Sequence, residues 1–165
     1  MIKKISEDEV LSTFLSLVAE VECGDHFNIT DPEHVEYIKR KINRYTNMGA
    51  EFYGYFSDDK EPIGFITLIE NEHLSHLNDC EILEVDVMPD SRNHGYGSEL
   101  LKHAEDIAKE RNVYRIHATT YAADSRVIHF YGKNGYAPVA VVPDTNGPND
   151  EGDIIIRKLL VNESG

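Results

Sequence analysis

The stretch Val87-Met88-Pro89-Asp90-Ser91-Arg92-Asn93-His94-Gly95-Tyr96-Gly97 constrains this chain more than any other. An extended run from Cys80 through Ile82, Leu83, Val85 and Val87 reaches Pro89, and no strand can continue through the polar, glycine-containing residues beyond it. Immediately after, Leu100, Leu101, Ala104, Ile107 and Ala108 form an apolar stripe opposite Glu99, Lys102, Glu105, Asp106, Lys109 and Glu110, which predicts an amphipathic helix. A strand passing through a tight glycine loop into a helix aims backbone N–H groups at one point, the arrangement that captures a phosphate. Gly95 and Gly97 have no Cβ to hold a pyrophosphate off the main chain, and Arg92 can offer it a guanidinium. The plain alternative is an ordinary strand-to-helix turn. Two nucleotide loops are excluded: Leu100 stands where a dinucleotide fold needs its third glycine, and no Gly-Lys-Ser/Thr follows.

The remaining elements follow from periodicity and punctuation. Ile2 to Ile5 can form a short strand, and Val10, Leu11, Phe14, Leu15, Val18 and Val21 predict one helix over Glu7 to Glu22. Asp31-Pro32 supplies a cap and a first-turn proline for a second helix, which Asn47-Met48-Gly49 stops. Phe52 to Phe56 and Ile63 to Ile69 flank the turn Ser57 to Lys60 and read as a hairpin. Val113 to Tyr121 is a strand, Asp124 to Asn134 a short helix closed by Gly135, and Tyr136 to Val142 with Asp153 to Val161 are two final strands. This order predicts an α/β fold, a single mixed, mostly antiparallel sheet of about seven strands flanked by about four helices.

The chain has 165 residues, with no linker or repeat, and is expected to form one domain over 1–165. Its 30 acids against 16 bases leave a formal charge of −14, which argues against a nucleic-acid partner and suits a cationic one. No apolar run approaches the ~20 residues of a membrane span, and Met1-Ile2-Lys3-Lys4 leads into charged sequence, so no membrane association and a cytoplasmic location are expected. Cys23 and Cys80 are read as structural thiols. His73-x-x-His76 lacks a third ligand nearby in sequence, and no metal is expected.

Arg92-x-x-Gly95-x-Gly97, between a strand ending Val87-Met88-Pro89 and a helix, resembles the acyl-CoA pyrophosphate loop of the GCN5-related N-acetyltransferase (GNAT) family. Three further stretches agree with that family in order and spacing, the last of them the β-hairpin that ends the chain. Pro62-Ile63-Gly64-Phe65 resembles its third strand, and Asp124 to Tyr136, with Tyr131, resembles its Asn-x-x-Ala-x-x-x-Tyr-x-x-x-Gly-Phe helix. The resemblance is firm from about Gly64 to Ala137. It implies the acyl-CoA N-acyltransferase fold, acetyl-CoA as donor, and transfer by direct attack to a primary amine, a cationic small molecule or a lysine-bearing peptide. A homodimer is compatible with it. The implied cofactor residues are Val87, Met88, Arg92, Asn93, His94, Gly95, Tyr96, Gly97, Ser98 and Asp124.

The chemistry asks for three further roles. The amine must be neutral although an alkylamine has a pKa near ~10.4, so a base is useful. Glu81 is the position the resemblance implies, Glu84 and Asp86 are close rivals on the opposite face of a regular strand, and a bulge would give Glu84 equal standing. The alternative family position on the next strand is Thr119, which cannot serve. Charge on the carbonyl oxygen needs a backbone donor, implied at Val87 or Met88, and the thiolate needs a proton, implied from Tyr131. Two residues depart from the family pattern. Asp124 replaces an Asn, which places its cofactor contact in question, and His94 replaces a Lys or Arg, so phosphate attraction weakens above the ordinary imidazole pKa of about 6.5. The rival function is a non-catalytic acyl-CoA-binding sensor or scaffold module. The acidic stretch Asp144, Asp150, Glu151 and Asp153 borders the acceptor site in the family and can attract a cation.

Overall fold

A computed structural model describes residues 1–23, 28–72 and 78–160, with side chains from 1–20 in the first of these. The pair His73 and His76, the side chain of Cys23 and the strand end at Val161 lie outside the described residues. The elements run β1 (Ile2–Ile5), α1 (Glu7–Thr13), α2 (Leu15–Cys23), α3 (Pro32–Asn47), β2 (Glu51–Phe56), β3 (Pro62–Asn71), β4 (Asp79–Val87), α4 (Tyr96–Glu110), β5 (Arg115–Tyr121), α5 (Ser125–Lys133), β6 (Ala137–Val142) and β7 (Asp153–Leu159). The seven strands make one mixed sheet in the order β1-β2-β3-β4-β5-β7-β6. β4 and β5 are parallel, while β1 with β2, β2 with β3, β5 with β7 and β6 with β7 are antiparallel. This is the α/β class that the sequence predicts.

The one helix expected over Glu7 to Glu22 is two, broken at Phe14. Apolar spacing continues across the break and gives no sign of it. Locally, Ser12 bonds its hydroxyl back to the Glu9 carbonyl at 3.3 Å, a contact that bends helices. Phe14 itself is fully buried, its ring 5.2 Å from that of Phe65 and 5.9 Å from that of Phe56. The α1 start is closed by a capping box in which the Ser6 hydroxyl accepts from Glu9 N–H and the Glu9 carboxylate accepts from Ser6 N–H.

The chain gathers into two compact units, Met1–Ile69 with Glu84–His103, and Glu70–Leu83 with Ala104–Gly165. In the first, Ile5, Val10, Phe14, Leu17, Val18, Ile38, Ile42, Phe52 and Phe65 form a buried cluster joining α1, α2 and α3 to β1, β2 and β3. Gly64 is required there by close approach: a Cβ would overlap the Asp86 carbonyl oxygen of β4. In the second, Cys80, Ile82, Ile116, Ala118 and Ile156 are buried strand residues, and Ala104, Ala108, Tyr131 and Tyr136 are buried with them. A partly buried Lys158 ammonium holds this unit's polar seam, donating to both oxygens of the buried Glu105 at 2.9 and 2.8 Å and to the Asn134 carbonyl at 3.0 Å.

Candidate active site

In the first unit, β4 ends at Val87 and the chain turns through a 3₁₀ turn, Pro89–Ser91, before α4 starts at Tyr96. Two left-handed residues shape the connection, Asn93 at φ +65° and Gly95 at φ +89°. Asn tolerates that region and Gly adopts it freely. The space where a Gly95 side chain would sit holds no atom within 4 Å. The first helical bond of α4 runs from Glu99 N–H to the Gly95 carbonyl at 3.1 Å, so the N–H groups of Tyr96, Gly97 and Ser98 precede it at the positive end of a helix 15 residues long. Tyr96, Gly97 and Ser98 are among the residues expected to hold a pyrophosphate.

Side chains around this loop also bond within the protein. Arg92 Nε donates to the Val87 carbonyl at 3.0 Å, and its Nη2 donates to Glu20 Oε1 of α2 at 3.0 Å, so the guanidinium clamps the strand end to a helix. His94 turns its Nδ1–H to the Arg92 carbonyl at 2.8 Å and lies stacked 6.1 Å from the Tyr96 ring. Tyr96 meets Tyr55 edge-on at 5.2 Å, and the Tyr55 hydroxyl donates to Glu99 Oε2 at 2.6 Å. That bond, with burial, pushes the Tyr55 phenol up to about 12.

At the strand end, the Met88 N–H donates to the Ile63 carbonyl at 2.8 Å. The Met88 N–H is thereby committed, which corrects the expectation that it donates to the reacting oxygen. Glu84 is also corrected as a base. Its carboxylate, 6% exposed, is ion-paired with Lys41 of α3, so it is turned away from solvent and already engaged within the first unit.

The second unit carries Glu81, Tyr131 and Asp124. Parallel pairing sets Cys80 beside Ile116, Glu81 beside His117 and Ile82 beside Ala118. Glu81 Oε2 stands 3.7 Å from His117 Nε2, and His117 Nδ1 stands 3.8 Å from Asp79 Oδ1. Asp79 is nearly fully buried, paired with Arg115 and bonded by Asn71 Nδ2 at 3.0 Å. Burial alone would raise its pKa, but the Asn71 and Arg115 bonds outweigh it and hold the carboxyl below its ordinary range. Asp124 caps α5, its Oδ1 accepting from Arg126 N–H at 3.1 Å and Val127 N–H at 3.2 Å. The same oxygen is thus spent on the helix, the structural role open to an Asp where the family pattern has Asn. Tyr131 is 4% exposed in the second turn of α5, with the rings of Phe130 and Tyr136 each 5.3 Å away.

The loop joining β6 to β7 is organised by Asp150, which accepts from Asn146 Nδ2 at 3.1 Å, Tyr121 Oη at 3.0 Å and Gly152 N–H at 2.9 Å. The Asn146 bond leads in holding the Asp150 carboxyl below its usual range. Sequence reasoning missed Glu20, Lys41 and His117. Periodicity does not encode which residues a parallel register sets side by side, so His117 carried no signal. Among the described residues no group of three or more His, Cys, Asp and Glu side chains could hold a metal ion, and no helix is long and apolar enough to cross a membrane.

The family model described as the acetyltransferase (GNAT) family matches residues 17–136. A tRNA(Met) cytidine acetyltransferase, TmcA 2 of Saccharolobus solfataricus, is 30% identical over 107 residues, 64% of this chain; the chain spans 14% of that protein's length. The fold is similar to an aminoglycoside 6'-N-acetyltransferase complexed with coenzyme A, at TM-score 0.76 and 17% identity, covering 100% of this chain and 99% of that one. It is also similar to the PaiA N-acetyltransferase of Thermoplasma acidophilum in complex with coenzyme A, at TM-score 0.69 and 26% identity, covering 96% and 98%.

Proposed function

Because the chain belongs to the acetyltransferase (GNAT) family, we propose that it is an acetyl-CoA-dependent N-acetyltransferase acting on a primary amine by direct attack. The observation that carries this is the turn into α4, where residues at φ +65° and +89° present the N–H groups of Tyr96, Gly97 and Ser98 ahead of the first helical bond. These donors hold the pyrophosphate. Acetyl-CoA supplies an acetyl group already activated as a thioester. Arg92 and Ile63 fix the two ends of the Val87–Met88 peptide, which holds the neighbouring Val87 N–H in place as donor to the oxygen on which charge develops. Glu81 takes the proton of the attacking amine, and the Tyr131 phenol supplies a proton to the departing sulfur. The acceptor is proposed to be a cationic amine, because the formal charge is −14 and the β6–β7 loop is acidic.

Isothermal titration of acetyl-CoA and CoA into the wild type and Gly97→Glu tests the cofactor. Micromolar binding that the mutant loses is expected, since the new side chain puts bulk and negative charge among the donors. No binding by the folded wild type would reduce the loop to a turn and remove the functional reading. Tyr131→Phe separates an enzyme from an acyl-CoA-binding sensor or scaffold: turnover should fall about 10²-fold or more while binding holds. An acceptor panel of polyamines, aminoglycosides and lysine-bearing peptides should be turned over in preference to neutral amines and acidic amino acids.

A further inference from the structure

Glu81 shares its row of the sheet with two other charged or titratable residues. The register sets Glu81 of β4 beside His117 of β5, and His117 beside Arg157 of β7. His117 also faces Asp79, two residues before Glu81, and Arg115 stands two residues before it on its own strand. Its two ring nitrogens are thereby divided between two carboxylates, Nδ1 at 3.8 Å from Asp79 Oδ1 and Nε2 at 3.7 Å from Glu81 Oε2. The carboxylates are not equivalent. Asp79 is 3% exposed and tied to Arg115 and Asn71, whereas Glu81 is 29% exposed and has only the imidazole as its ion-pair contact among the described residues.

We infer that His117 is the positioning and proton-relay residue of the base, with Asp79, His117 and Glu81 acting in series. This rests on the proposed role of Glu81. His117 Nδ1 is buried without a hydrogen-bond partner among the described residues and stands 3.8 Å from Asp79 Oδ1, so Asp79, kept ionised by its two donors, draws the proton to Nδ1 and selects the tautomer whose Nε2 lone pair faces Glu81. A neutral imidazole satisfies only one carboxylate by donation, and the better anchored one takes it. When the attacking amine forms its new N–C bond, its proton passes to Glu81 Oε2 and from there to Nε2, and the resulting imidazolium lies between two carboxylates. No electron changes hands, and Glu81 is left as the carboxylate it began as. Separations near 3.7 Å in a ligand-free site shorten when the site is filled.

The relay predicts a pH signature that a packing role would not give. His117→Gln and Glu81→Gln should be compared with wild type for acetyl-CoA affinity, and for kcat against pH with whichever amine of the panel the wild type turns over fastest. In wild type the rate falls on the acid side as imidazole protonation closes Nε2. In His117→Gln, kcat should drop about 10-fold or more with acetyl-CoA affinity unchanged, and the acid limb should move down by at least about one pH unit toward the carboxylate range. An acid limb that stays in place while Glu81→Gln has lost about 10²-fold in kcat would overturn the relay alone. A Glu81→Gln enzyme at wild-type rate would overturn the base assignment and the relay with it. A readout independent of turnover and of any variant's folding is the imidazole nitrogen spectrum of the unaltered free protein, which should show His117 as the Nδ1–H tautomer; an Nε2–H tautomer would also end the proposal.

Discussion

Tyr55 and Glu99 show how one hydrogen bond reports on the loop that precedes α4. The phenol donates to Glu99 Oε2 at 2.6 Å and has its pKa pushed up to about 12. Folding therefore favours the protonated phenol: the stabilisation is complete below an ordinary tyrosine pKa of about 10 and is lost as pH rises from there through about 12. Glu99→Gln removes the carboxylate, so the Tyr55 component of phenolate absorbance, isolated by subtracting a Tyr55→Phe titration, should return toward about 10. The glycine spacing, Arg92, Glu81 and Tyr131 were all legible as letters in the sequence. Their partners were not, because Arg92 reaches Glu20 of α2 and Glu84 reaches Lys41 of α3 across separations in sequence that no local pattern spans. The committed Met88 N–H was equally hidden, since a strand's letters do not say which edge each N–H faces.

α5 is an element whose ends were both written in the chain. Asp124 accepts two N–H bonds at its start, and Gly135, at φ +85°, follows its last turn. Asp124→Ala leaves those N–H groups without their acceptor and should cost about 1 kcal/mol, read as a lower midpoint in denaturant with an unchanged slope. Asp124→Asn, which keeps the accepting oxygen, should recover most of that loss. The β2–β3 hairpin and α4 were legible for similar reasons, the first from its polar turn and the second from an apolar stripe with charges opposite. The α1–α2 break was not, because the apolar spacing runs straight through Phe14, and what marks the place is the Ser12 bond to the Glu9 carbonyl and the packing of Phe14 against Phe56 and Phe65.

At the scale of the molecule, the sheet class followed from the order of elements, and the strand order did not: β7 lies between β5 and β6, an insertion that no local signal dictates. The insertion leaves β6 at the edge with Val139, Val141 and Val142 exposed, while Pro138 and a register shift beside it interrupt its pairing pattern. Natural sheets limit edge-to-edge association with such devices. The parallel pairing of β4 with β5 has a consequence in time. β2 and β3 meet through a short turn, but β5 reaches β4 only after the chain has travelled the whole of α4 and come back. Closing that larger loop costs more entropy before any bond rewards it. Pulse-labelled hydrogen exchange during refolding should therefore find the amides of β2 and β3 protected first and those of the β4–β5 ladder later, so the row that holds Glu81 beside His117 is among the last parts of the backbone to come into being.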